Sequence, residues 1–370
     1  MPADSSANGH DDPSHFYTAP ISSERVNPDA TPVNVALQGG GAHGAFTWGV
    51  LDQILEDGRL EIDGLSGTSA GAMNAAVYAY GMMQGGPEQA RASLHDFWRD
   101  ISQVGELFNP VKRLPWETLF GTNNLENSLS YLAFDTLTRM LSPYQFNPFN
   151  VNPLRDILAR HVDFEVMSEC KSTKLFIAAT NVRTNKIRIF HNDELTVDCV
   201  MASACLPMLF QAVEVDGEPY WDGGYMGNPA LFPLLYNTGT GDILIVHINP
   251  VVRNEVPKQA SDILNRINEV SFNSSLIREI RAIAFVIKMI EEDWLKPGAR
   301  DYLTHEDIHL HSLRADEAVC GLSVASKFNP DWDFLTSLRD RGRKYAREWL
   351  DAHADDVGKR SSVDYRAEFL

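Results

Sequence analysis

The stretch from Val33 to Met83 constrains this chain most. "VNVALQ" (33–38) is a short apolar run of the kind a fully buried strand carries. It passes into the glycines of "GGGAHG" (39–44). Beyond them Trp48, Leu51 and Leu55 recur at helical spacing, and Gly58 fits a helix stop. The pattern then repeats. "LEIDGLSG" (60–67) reads as a strand and turn, and "SAGAMNAAVYAYGMM" (69–83) as a helix whose small residues allow close packing. Strand, helix, strand, helix in this order predicts a parallel sheet with helical crossovers.

Downstream, residues 87–165 read as helical with interruptions. The prolines and aromatics of "NPVKRLPWETLFG" and "SPYQFNPFNVNPL" suit a cap or apolar channel wall as well as surface helices joined by loops. Strands return with "KLFIAATNV", a turn at Thr184-Asn185, and "IRIF". "VDCVMASACLPMLF" (197–210) is helical until Pro207, and "AVEVDGEPYWDGG" is a hairpin turning at Asp216-Gly217. "DILIVHIN" (242–249) is a further core strand. Residues 262–295 read as a long packing helix in which Leu276, Ile280, Ile283 and Met289 share one face. Another helix closes the chain at 328–353. Residues 1–31 read as a flexible tail, 32–350 as one domain without an internal boundary, and 351–370 as a C-terminal tail.

Bulk properties narrow the partners. A net charge of −18 repels nucleic acid. Cys170, Cys199, Cys205 and Cys320 lack metal-ligand spacing and suit reduced thiols of a cytoplasm. No run approaches the roughly 18 apolar residues of a membrane span. The N-terminus has neither the basic start nor the apolar segment of a secretory signal. A cytoplasmic protein is expected, with peripheral membrane contact through the aromatic stretch 105–150. Its oligomeric state is left open.

Three motifs carry chemistry. The first is the glycine cluster, whose backbone N–H groups at the start of a helix suit an anion. It satisfies G-x-G-x-x-G at Gly39, Gly41 and Gly44, and Asp63 lies where a dinucleotide fold would place its ribose carboxylate. A nucleotide-binding oxidoreductase is therefore one reading. A P-loop is not, because no Gly-Lys-Ser/Thr follows. The second motif, Gly67-Thr68-Ser69-Ala70-Gly71, is a G-x-S-x-G between a strand and a helix, the setting of a nucleophile elbow. A serine hydroxyl needs a base, and the third motif offers one: Asp222 before Gly223 and Gly224 in "YWDGGYMGNPA". A dry pocket would raise its pKa and make it a proton acceptor near neutral pH. Together they read as one device. Ser69 attacks an acyl carbonyl, Asp222 takes its proton, and the N–H groups of Gly40 and Gly41 hold the oxyanion.

In this order "GGGAHG", "GTSAG" and "DGG" resemble the patatin-like phospholipases of the bacterial branch. "MASACLPMLF" and "ATNVRTNKIRIF" are also similar to segments of that family, and the likeness spans about residues 33–250. The resemblance implies a three-layer α/β/α fold with a mostly parallel central sheet and extra helices. It implies a lipid acyl hydrolase of phospholipase A, lysophospholipase or carboxylesterase type, acting on a lipid or acyl-ester substrate without metal or organic cofactor. It makes Ser69 and Asp222 a catalytic dyad without histidine and Gly39, Gly40 and Gly41 the oxyanion loop. His43, Gly44, Gly67, Gly71, Gly223 and Gly224 would complete the motifs. His43 stands where the family usually has Arg or Lys. A histidine there would be only partly charged near pH 7, weakening a preference for anionic headgroups.

Two further readings compete. Ser69, Asp222 and His247 run in the order of a Ser-His-Asp esterase, although His247 lies inside an apolar strand pattern and suits a structural histidine better. His191 and the group His305, His309 and His311 are other histidines to place; "THEDIHLHS" is not H-E-x-x-H. A non-catalytic lipid-binding module is the last alternative, made plausible by His43.

Overall fold

Alternation sets the sheet. Val33, Val35 and Leu37 of strand β1 (Thr31–Leu37) are buried on one face, and Ala36 on the other. Leu175 and Ile177 likewise oppose Phe176 and Ala178 in β3 (Lys174–Asn181), and Leu244 and Val246 oppose Ile243 and Ile245 in β7 (Asp242–His247). Strands apolar on both faces must be covered on both. The computed structural model describes residues 25–108, 128–253, 255–294, 305, 307–319 and 322–369. Within them the sheet also holds β2 (Leu60–Gly67), β4 (Ile187–His191), β5 (Val213–Val215), β6 (Glu218–Asp222) and β8 (His309–Arg314). The order is β5-β6-β3-β2-β1-β7-β8, with β4 paired to β3 beside that path. The pairs from β3 through β8 run parallel; β4, β5 and β6 add antiparallel pairing at the other side.

Helices cover both faces, giving the expected three layers. On one side lie α1 (Gly44–Asp57), α2 (Ala70–Phe108) and a helix over Trp332–His353. Gly58 ends α1 in the left-handed region, as anticipated. Non-helical Gly85 and Gly86, followed by Pro87, break α2. The opposite face is covered by Leu276, Ile280, Ile283 and Ile287 of the helix Ala260–Glu291. Met289 is only half-buried; Ile287 takes the place assigned to it. Each such leucine or isoleucine contributes roughly 1.5–3 kcal/mol by leaving water.

Three segments depart from the sequence reading. The helix expected to run to Pro207 spans only Val197–Ser203. β8 was not foreseen, because "HLHSLR" lacks apolar alternation. It pairs in parallel with β7, and its buried His311 meets Asp242 through Nε2 at 3.0 Å. Residues 351–369 are docked where a tail was expected. Gly358 N–H donates to Asp242 Oδ1 at 2.7 Å, and Leu310 N–H donates to Ser361 Oγ at 3.0 Å. Residues 1–24 of the expected N-terminal tail, 109–127 of the aromatic stretch, and Cys320 lie outside the described residues. No helix among the described residues is long and apolar enough to cross a membrane.

Candidate active site

Leu37 and Gly67 are partners in the parallel β1–β2 pair, so the glycine loop and Ser69 leave neighbouring strands at their carboxyl ends. Ser69 has φ 55°, a left-handed conformation that costs a non-glycine residue on the order of 1–3 kcal/mol. Helix α2 begins at the next residue. The turn can be this tight because Gly71 has no side chain: a Cβ there would lie 2.3 Å from the Leu37 carbonyl oxygen. Gly67 closes β2 and Gly44 opens α1. The Ser69 N–H donates to Ser203 Oγ at 3.0 Å, which fixes the elbow from below.

The sheet register brings Asp222 to the same level. Gly67, two residues before Ser69, pairs with Ile177, and Ala179, two residues after Ile177, pairs with Asp222. Asp222 is fully buried. Its N–H donates to the Cys205 carbonyl at 2.8 Å, and its own carbonyl accepts from Thr180 Oγ1 at 2.9 Å. Carboxylate Oδ1 accepts the Gly224 N–H at 2.7 Å, with Gly223 and Gly224 forming the turn. Oδ2 has no hydrogen bond of ordinary geometry among the described residues. Burial raises the pKa of Asp222 to about 7, against the Gly224 N–H, the nearby Ser69 hydroxyl and the charge of Lys327, which favour the carboxylate. A carboxylate at that value accepts a proton at neutral pH.

The three glycines of the loop are not equivalent. Gly39 N–H donates to Asn228 Oδ1 at 2.7 Å, so it is committed within the protein, contrary to its expected place among the oxyanion donors. The N–H groups of Gly40 and Gly41 have no protein acceptor among the described residues. Gly41 has φ +58°, and a Cβ on it would lie 2.5 Å from the Lys327 carbonyl oxygen. Polar side chains that the motifs did not flag clamp the loop. Gln38 Oε1 accepts from the Ile248 and Asn249 N–H groups, and Asn249 Nδ2 donates to the Gly39 carbonyl at 2.8 Å. Gln38 and Asn249 interrupt apolar strand runs in the sequence, and buried polar residues there need partners. That was the available signal.

His43 is buried, with Nε2 2.8 Å from Ser326 Oγ. The Ser326 hydroxyl already donates to the Ser323 carbonyl, so the imidazole donates from Nε2. Burial, with Lys327 nearby, lowers its pKa to about 3. His43 is therefore uncharged at neutral pH, not partly charged as expected. The cation near the loop is Lys327, in a three-ten turn over Val324–Phe328. Its Nζ donates to Asn249 Oδ1 at 2.9 Å and Asn268 Oδ1 at 3.2 Å.

The other candidates fall elsewhere. His247 is buried in β7 with its pKa lowered to about 3 by burial and Arg314, and it is not among the groups acting on Asp222. Asp63 lies in β2 at the β1–β2 register shift, short of the strand's carboxyl end, and its Oδ2 accepts the Gly239 N–H at 2.6 Å. That position does not serve a ribose, so the dinucleotide reading fails. His309 and His311 gather round Asp242 at the amino end of β7, opposite the loop. His191 ends β4 beside Phe176. No three His, Cys, Asp or Glu side chains among the described residues are grouped to hold a metal ion. A cavity of about 860 Å³ borders Met201, Cys205 and Phe210, but none of Ser69, Asp222 or the loop glycines lines it.

A family model described as patatin-like phospholipase matches residues 35–235. Among solved structures the chain is similar to VipD from Legionella pneumophila, with 14% identity, 95% of this chain and 76% of that chain covered, and a TM-score of 0.41. It is similar to the type III effector ExoU, with 15% identity, 88% and 54% covered, and a TM-score of 0.37. The full-length ExoU–SpcU complex from Pseudomonas aeruginosa gives 17% identity, 88% and 53% covered, and a TM-score of 0.27. No curated protein matches the chain.

Proposed function

Because this chain belongs to the patatin-like phospholipase family, we propose that it hydrolyses acyl esters of lipids through Ser69 and Asp222. Ser69 Oγ attacks the ester carbonyl carbon while its proton passes to the Asp222 carboxylate. The carbonyl oxygen becomes an oxyanion facing the N–H groups of Gly40 and Gly41. The alcohol leaves with the proton held on Asp222. Water then attacks the acyl-serine, Asp222 accepts the water proton, and the fatty acid departs as the proton returns to Ser69. Each lost oxyanion donor typically costs about 2.7–4 kcal/mol of barrier in serine hydrolases.

The observation that carries this reading is the buried Asp222 carboxyl, with one oxygen held by Gly224 and the other open beside a serine on a strained elbow. Exposed Met140, Phe149 and Met208 offer apolar contact to a bilayer, which supports peripheral docking on the substrate's surface. The test is mass spectrometry of a lipid extract incubated with wild type and with Ser69→Ala, beside labelling by a fluorophosphonate. Wild type should release fatty acid and its co-product and gain an adduct at Ser69; the variant should do neither. Equal release by the variant, or an unlabelled wild type, would overturn the reading and favour a lipid-binding module.

A further inference from the structure

We propose that Lys327 is a positioning residue of this site: it fixes the glycine loop through Asn249 and supplies the positive charge that Asp222 faces. The inference rests on the Ser69–Asp222 reading. Three contacts join the 324–328 turn to the loop. The Lys327 carbonyl lies where a Gly41 side chain would be, Ser326 holds His43, and Lys327 Nζ holds Asn249, whose amide nitrogen holds the Gly39 carbonyl. The loop's two open N–H groups thus owe their place partly to the ammonium.

Its charge remains available to the site. The hydrogen-bond partners of Nζ are the neutral amide oxygens of Asn249 and Asn268, and Nζ lies 5.4 Å above the Phe272 ring centre. Glu269, the other acid that acts on Lys327, is already paired with Arg253 and Arg266. His43, on the loop side, is neutral. Asp222 is the remaining titratable group facing it. Holding an ammonium with amide partners alone costs desolvation free energy. At this position the same charge favours the Asp222 carboxylate and, once Ser69 attacks, the developing oxyanion. Burial lowers the Lys327 pKa to about 8, close above the value of about 7 for Asp222, and the attraction between them favours the charged form of each.

The experiment follows kcat/KM for a soluble p-nitrophenyl ester from about pH 5 to about pH 10. Wild type should rise as Asp222 loses its proton near 7 and fall as Lys327 loses its own near 8. In Lys327→Met the falling limb should vanish and the rising limb move to higher pH. Because that variant lacks the ammonium at every pH, its kcat should stay near the low value that wild type reaches on its falling limb, roughly tenfold or more below the wild-type maximum, with KM little changed. Lys327→Arg should keep the rising limb and carry the falling limb beyond about pH 10. A purely structural lysine would lower rates at every pH without moving either limb, and that result overturns the proposal. Should Lys327→Met fail to melt cooperatively, Asn268→Ala removes one acceptor and should bring the falling limb down; unmoved limbs there also overturn it. Turnover that persists in Ser69→Ala strikes the dyad reading instead.

Discussion

Asp222→Asn should abolish turnover and make the fold more stable at neutral pH. The carboxyl is fully buried, and burial lifts its pKa from 3.8 to about 7. Below about pH 4 the group is protonated in folded and unfolded chains alike, and it adds no pH dependence. Between the two values the folded chain keeps a proton that the unfolded chain has released. Stability therefore falls as pH rises, by about 1.36 kcal/mol per unit. Roughly three units give a loss on the order of 4 kcal/mol, complete just above pH 7. Asparagine is neutral throughout and escapes this loss. Its amide oxygen can still accept the Gly224 N–H. Lys327 loses a favourable neighbour in the variant, which returns part of the gain. The net expectation is a variant about 2–4 kcal/mol more stable than wild type at pH 8 and about equal to it near pH 4. Urea denaturation followed by circular dichroism at both pH values measures this directly. A variant no more stable than wild type at pH 8 would refute the claim that Asp222 is held ionised at a cost. Such a cost is what a functional carboxylate imposes on a fold.

His247→Ala should keep ester turnover within a few-fold while lowering stability by about 1–3 kcal/mol, since it empties a buried position; a thousandfold fall in kcat with a native melting profile would restore the Ser-His-Asp reading. Gly41→Ala meets both a left-handed φ and the Lys327 carbonyl at 2.5 Å. It should cost about 2 kcal/mol or more in thermal denaturation and most of the turnover, because the loop must move for the methyl to fit.

Much of the fold was legible because its signals are local. The strand-glycine-helix units at 33–57 and 60–83 each carry their own periodicity and stop, and parallel pairing follows from their order. The hairpin at 213–222 declares itself through Asp216-Gly217, and both residues have positive φ. β8 had no such signal. Its histidines are acceptable in a strand only because Asp242 waits across the pair, and a residue 69 positions away cannot be seen from "HLHSLR". The docked residues after 350 were hidden for the same reason: Gly358 is anchored by that same aspartate. The glycine loop shows the limit most clearly. Its glycines are visible, but which N–H groups remain open depends on Asn228, reached only through the fold.

The charge at the site follows the same logic. The family resemblance places a positive group at position 43, inside the motif, but burial leaves the histidine there uncharged. His43 is 3% exposed, with Phe334 at 6.4 Å and a single hydroxyl partner, and burial leaves its ring neutral. A charge needs several polar partners to offset desolvation, and position 43 supplies too few. Position 327 supplies two amide oxygens and an aromatic face, while the residue before it, Ser326, satisfies the neutral histidine. One turn therefore does two things. It seals an uncharged side chain beneath the loop, and it brings an ammonium in from the side where Asp222 can feel it.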